Sequence, residues 1–215
     1  MNAPWLLLSA ALMADPDLVP PDPSWEVEID PLSSQSRTNW SPTERATLDR
    51  GEAVSRHWTD TRGRAHGLSA IIVNAPTAAV WKVIVDFDAY VEFMPYVTAS
   101  WVSSWTEEAD CTRIVAGYHL TTKGYVTRYR LDNRWYPDKS VLVFNVSPES
   151  TGPLTSGDGW WRVSPWNGGG KLLLEYSVDM GMQWWVPGAL ERKAADRLPL
   201  VVRLMKRRSE DRARG

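Results

Sequence analysis

The stretch Asn74-Ala75-Pro76-Thr77-Ala78-Ala79-Val80-Trp81-Lys82-Val83-Ile84-Val85-Asp86-Phe87-Asp88-Ala89-Tyr90-Val91-Glu92-Phe93-Met94-Pro95-Tyr96-Val97 decides the fold. It follows Leu68-Ser69-Ala70-Ile71-Ile72-Val73, a β-branched run of strand length. Pro76 is expected at the first helical position, where its missing N–H costs nothing. Val80, Val83, Ile84 and Phe87 then fall at i, i+3, i+4 and i+7, one apolar helix stripe. Asp86-Phe87-Asp88 breaks that helix, and Asp88 is expected to cap a second short one ending before Pro95. A strand therefore feeds two short helices.

From Val97 to Gly181 the period becomes two. Val97, Ala99, Trp101, Ser103 and Trp105 alternate with Thr98, Ser100, Val102 and Ser104, and Thr112–Leu120 follows after a turn. Tyr125, Thr127, Tyr129, Leu131 and Trp135 oppose Val126, Arg128, Arg130, Asp132 and Arg134, aromatics inward and charges outward. Val141–Val146 reads as a buried strand and Ser147–Gly159 as a longer loop. Trp160–Trp166 and Lys171–Met180 flank Asn167-Gly168-Gly169-Gly170, a hairpin signal. The last element is helical, with Leu190, Ala194, Leu198, Val201 or Val202, and Met205 on one stripe and Pro199 expected to kink it. Upstream, Ser41-Pro42-Thr43-Glu44 starts a short helix ending near Gly51, and Glu52–Trp58 is a possible extra strand. The order defines an α+β domain: a curved antiparallel sheet of six to seven strands around a long C-terminal helix, with two short helices after the first strand.

This order, with Asn74-Ala75-Pro76, Val80-Trp81, Asp86-Phe87-Asp88-Ala89-Tyr90 and Phe93-Met94-Pro95, resembles the START-like (Bet v 1-like, SRPBCC) helix-grip superfamily, in its polyketide cyclase and coenzyme Q-binding branch. The resemblance covers roughly residues 66–208. It implies a cavity between sheet and C-terminal helix that accepts lipids, quinones, polyketides or other apolar molecules. The motif residues themselves read as mostly structural. The domain reading is an apolar N-terminal segment or signal peptide at 1–14, a linker with a short helix and extra strand at 15–65, the ligand-binding domain at 66–208, and a charged tail at 209–215.

Composition supports this reading. The chain has 215 residues, 43% hydrophobic and 23% charged, with a net charge of -2 that offers no attraction to nucleic acid. One cysteine, Cys111, excludes an internal disulfide and a thiolate metal cluster. Thirteen tryptophans against three phenylalanines suit an aromatic-lined cleft or a Trp-heavy core. Trp5 to Ala14 is apolar but too short to span a bilayer, and it lacks the basic flank of a signal peptide. It suggests a periplasmic or secreted protein, with a cytoplasmic one as the alternative.

No nucleophile elbow, P-loop or dinucleotide fingerprint occurs, so no catalytic residue and no cofactor is assigned. His57, His66 and His119 lack metal-ligand spacing, so no metal is expected. The expected ligand-binding set is Trp101, Tyr118, Tyr125, Tyr129, Trp160, Tyr176, Leu190, Ala194, Leu198 and Val201. Tyr118, Tyr125, Tyr129, Asn145, Arg162 and Tyr176 are the polar groups an enzyme could use there. Trp184 and Trp185 beside a basic helix suit a peripheral membrane contact. The leading reading is a carrier of a hydrophobic small molecule. The alternatives are a cyclase, aromatase or hydrolase in the same cavity, and a membrane- or protein-docking module.

Overall fold

The computed structural model describes residues 32, 38–59, 65–122, 125–147, 150, 154–182 and 197–215. Helix α1 (Pro42–Asp49) precedes strands β1 (Val54–Thr59) and β2 (Ala65–Val73). Then come α2 (Thr77–Ile84), a 3-10 turn (Phe87–Ala89) and α3 (Tyr90–Phe93). Strands β3 (Val97–Glu107), β4 (Thr112–Thr122), β5 (Tyr125–Tyr136), β6 (Val141–Val146), β7 (Leu154–Trp166) and β8 (Lys171–Met182) lead to helix α4 (Leu198–Arg212). The strands form one eight-stranded antiparallel sheet in the order β1-β2-β8-β7-β6-β5-β4-β3. It is an open, curved sheet with the C-terminal helix packed on it, the α+β helix-grip arrangement. Residues 1–14, Trp184, Trp185, Leu190 and Ala194, for which the sequence sets expectations, lie outside the described residues, as does the side chain of Tyr125.

Local chemistry explains the elements. Ser41 and Glu44 close a capping box: the Ser41 hydroxyl accepts from Glu44 N at 3.3 Å, and Ser41 N donates to Glu44 Oε2 at 2.8 Å. The α2 stripe is buried as its spacing requires, with Val80, Val83, Ile84 and Phe87 all at most 2% exposed. Two details differ from expectation. Pro76 is the N-cap and not the first helical residue; its extended backbone (φ -60, ψ 146) aims its carbonyl at Ala79 N and Val80 N. Asp88 caps no helix, because it lies inside the 3-10 turn, and its carboxylate accepts from Val102 N at 2.9 Å, tying the turn to β3.

Pro199 occupies the first turn of α4, where no intrahelical N–H is needed, so within the described helix it breaks no hydrogen bond. The helix buries Leu198, Val202, Met205 and Ser209. Its C-terminal half is tied to the α2–α3 layer by the ion pairs Arg208–Glu92 and Arg212–Asp86, and Asn74 N donates to Glu210 Oε1 at 2.9 Å.

The expected loop at 147–159 is shorter, because β7 begins at Leu154. Gly159 is a packing residue within that strand. A Cβ there would stand 2.3 Å from both the Phe144 ring and the Ser177 carbonyl oxygen. The Asn167–Gly170 turn forms as predicted, all four residues having positive φ.

The sheet has two apolar faces. Facing α2–α4 are Ile71, Val73, Ile114, Ala116, Tyr118, Leu142, Phe144, Trp161, Val163, Leu174 and Val178. The opposite face carries Leu68, Ala70, Ile72, Trp160, Trp166 and Leu173, covered by Trp40 and Leu48. Strand parity thus assigns neighbours such as Trp160 and Trp161 to opposite layers.

Candidate functional site

A cavity of about 260 Å³ lies between the inner sheet face and the start of α4. Strands β4 and β5 bring Tyr118 opposite Tyr129, and the rings stack at 5.1 Å. Strands β7 and β8 bring Trp161 opposite Tyr176, stacked at 4.1 Å, with Phe144 6.1 Å beyond. The 3-10 turn and α3 add Phe87 and Tyr90, the latter anchored by donating its hydroxyl to the Ile84 carbonyl at 2.7 Å. The rim is formed by Pro95, Tyr96 and Val97 on one side and Arg197, Leu198 and Val201 on the other.

Few polar atoms interrupt this wall. Among the described residues, the buried Tyr118 hydroxyl has no hydrogen-bond partner, and neither has Asn133 Oδ1. The Asn133 amide is fixed, because its Nδ2 donates to the carbonyls of Ile114 (2.9 Å) and Leu131 (3.2 Å), leaving Oδ1 as a bare acceptor. Burial pushes the phenols of Tyr90, Tyr118, Tyr129 and Tyr176 above their ordinary range. Burial disfavours their phenolate forms, so they offer the chamber neutral hydroxyl groups.

The structure brings together Tyr118, Tyr129, Tyr176, Leu198 and Val201 from the predicted set. It separates two others. Trp101 lies on the outer face, because the register shift between Val97 and Ala99 inserts one residue and reverses the phase of β3. Its ring covers Gly117, where a Cβ would meet it at 2.4 Å, and meets His119 edge-on at 5.1 Å. Val102 takes the inward position instead. Trp160 also faces outward, in the second apolar layer beneath the Arg162 guanidinium. The cavity is served by its neighbour Trp161.

Arg162 and Asn145 do not reach the cavity either. Arg162 is buried on the outer face, where Nε donates to Glu175 Oε2 at 2.8 Å and Nη2 to Thr38 Oγ1 at 3.0 Å. Asn145 is exposed on β6. His57 is exposed, His119 is on the outer face, and His66 pairs with Asp179 at 2.5 Å beneath the Trp58 ring. Among the described residues no three potential ligands converge on a metal position.

Sequence reasoning missed Asn133, Phe144, Trp161, Tyr90 and Arg197 as wall residues. Asn133 had a usable signal, since it sits between Leu131 and Trp135 on the inward parity of β5.

Fold and cavity together define a class, a sheet gripping a helix around an apolar chamber. The sequence matches the family described as polyketide cyclase / dehydrase and lipid transport over residues 73–201, and the chain belongs to that family. The fold is similar to the Zhui aromatase/cyclase from a Streptomyces, at 16% identity and TM-score 0.54, over 75% of this chain and 94% of that one. It is similar to a protein from Thermus thermophilus, at 16% identity and TM-score 0.57, over 67% and 96%. It is also similar to a START superfamily protein from Mycobacterium smegmatis, at 16% identity and TM-score 0.50, over 76% and 98%. At these identities the likeness is one of fold. No curated protein matches the sequence. The family and the fold suit hydrophobic-ligand binding or polyketide cyclase-type chemistry.

Proposed function

We propose that this protein binds and carries a hydrophobic small molecule in the chamber between the sheet and α4. The observation that carries this reading is the wall itself: stacked pairs Tyr118–Tyr129 and Trp161–Tyr176 facing an apolar helix end. Such a surface gains free energy from an apolar guest, at roughly 25 cal/mol per Å² buried before ordering costs. The volume, about 260 Å³, lies just below the usual range of small-molecule pockets, roughly 300–1,000 Å³. It suits one or two rings or a short chain.

Carriage is favoured over catalysis by the chemistry of the polar groups. Tyr118, Tyr129 and Tyr176 are held as neutral phenols, which donate hydrogen bonds and are poor bases, and Asn133 Nδ2 is committed to backbone carbonyls. General acid–base work needs a group poised near the working pH and within hydrogen-bond reach of substrate. The peripheral membrane contact expected at Trp184 and Trp185 remains part of the proposal as the route by which a guest is collected.

Native mass spectrometry and solvent extraction of protein purified from its own host test this reading. A stoichiometric apolar guest is the expected result. A protein that is reproducibly empty and binds no apolar probe saturably contradicts it.

A further inference from the structure

Arg197 is the one charged side chain among the described residues that line the cavity. It stands at the N-terminal end of α4, its carbonyl accepting from Leu200 N at 2.9 Å and Val201 N at 3.1 Å, so its backbone is fixed. Its guanidinium lies 4.1 Å from the centroid of the Tyr96 ring, across the mouth. Among the described residues it makes no ion pair, whereas Arg208 and Arg212 on the same helix each hold a carboxylate. Tyr96 is equally constrained. Its backbone is left-handed (φ 70), which is rare for a bulky residue, and its carbonyl accepts from Thr121 N at 2.9 Å.

A cation parked on an aromatic face keeps its N–H donors free for an anion, and the positive end of a 15-residue helix adds the same sign of potential. Deeper in, the buried Tyr118 hydroxyl marks the chamber as a site that still has a donor to give.

We propose that Arg197 anchors an acidic head group, so that the guest is a small anionic amphiphile with a carboxylate or phosphate at the mouth and an apolar body inside. The volume of about 260 Å³ suits a body of one or two rings. This rests on the carrier reading above and adds the ligand's charge and the residue that selects it. Tyr96 holds the guanidinium in place when the chamber is empty.

The test uses the full chain and three probes with one naphthalene body: 2-naphthoate, 2-naphthyl phosphate and the neutral 2-naphthalenemethanol, titrated by calorimetry. The expected result is that at least one acid binds about tenfold or more tightly than the alcohol, as a charge-assisted hydrogen bond implies. The better acid identifies the head group. In Arg197→Met the preference for the acid over the alcohol disappears, and Arg197→Lys restores part of it. Equal affinity of all three for the native protein overturns the proposal, as does a preference that survives Arg197→Met. If no probe binds at all, the carrier reading itself fails, which differs from binding without charge preference.

Discussion

Tyr176 on β8 stacks on its direct cross-strand partner Trp161 on β7, with ring centroids 4.1 Å apart and planes 21° from parallel. The pair is both a sheet contact and a cavity wall, so the two roles separate by substitution. Tyr176→Phe keeps the ring and removes only the hydroxyl, and its stability should stay within about 1 kcal/mol of the parent in urea unfolding. Tyr176→Ala should cost about 3 kcal/mol and weaken any apolar guest, because half of the stack is lost. Equal stability of the two variants would place the stack outside the core.

The outer face holds a second test. Arg162 and Glu175 form an ion pair at 2.8 Å with both residues at most 8% exposed. Arg162→Met strands the buried Glu175 carboxylate and should cost about 3–5 kcal/mol, and Glu175→Leu alone should also destabilise. The double variant should recover most of that loss. Additive losses in thermal unfolding would show that the pair is not coupled.

Gly159 makes a steric prediction. A methyl group there meets the Phe144 ring, which can shift, and the Ser177 carbonyl oxygen, which is backbone in β8 and cannot easily do so. Gly159→Ala should therefore destabilise by about 1–3 kcal/mol. Wild-type-like denaturation would mean that β7 and β8 are looser than their register implies.

The buried phenols set a pH dependence. Tyr118, Tyr129 and Tyr176 have folded-state pKa values raised above the ordinary 10.0, chiefly by burial. A raised pKa in the folded state means that the unfolded chain loses these protons first. Stability from this source is fully present below about pH 10 and falls as pH rises beyond it. Guest binding should be flat with respect to these groups from pH 6 to 9. Absorbance titration near 295 nm checks both: these tyrosines should ionise only as the protein unfolds, and normal titration in the folded state would contradict their burial.

The fold was legible because Asn74–Val97 carries a period of 3.6 between a β-branched strand run and a long region of period two, and that contrast survives small errors. Pro76 and Asp88 were misplaced by about one position each without moving any element. The site was less legible. A period-two pattern fixes which residues share a face but not which face is inward, and Trp160-Trp161 satisfies both phases. Trp101 failed for a different reason: the bulge after Val97 reverses parity, and Thr98 bears no mark of it in sequence. Asn133 was readable from its neighbours Leu131 and Trp135. Arg197 was not, because a basic residue on a basic helix looks like solvent-facing charge until the tertiary fold sets Tyr96 beneath it.

The central claim is that the chamber between the sheet and α4 takes an apolar guest. Its most direct test is saturable binding of a naphthalene-bodied probe to the parent chain and to Leu131→Trp, whose indole would fill the chamber from β5. The account predicts one saturable site in the parent and its loss in the variant, with the far-ultraviolet circular dichroism of the sheet unchanged. Undiminished binding by Leu131→Trp, or no saturable binding by the parent, would contradict it.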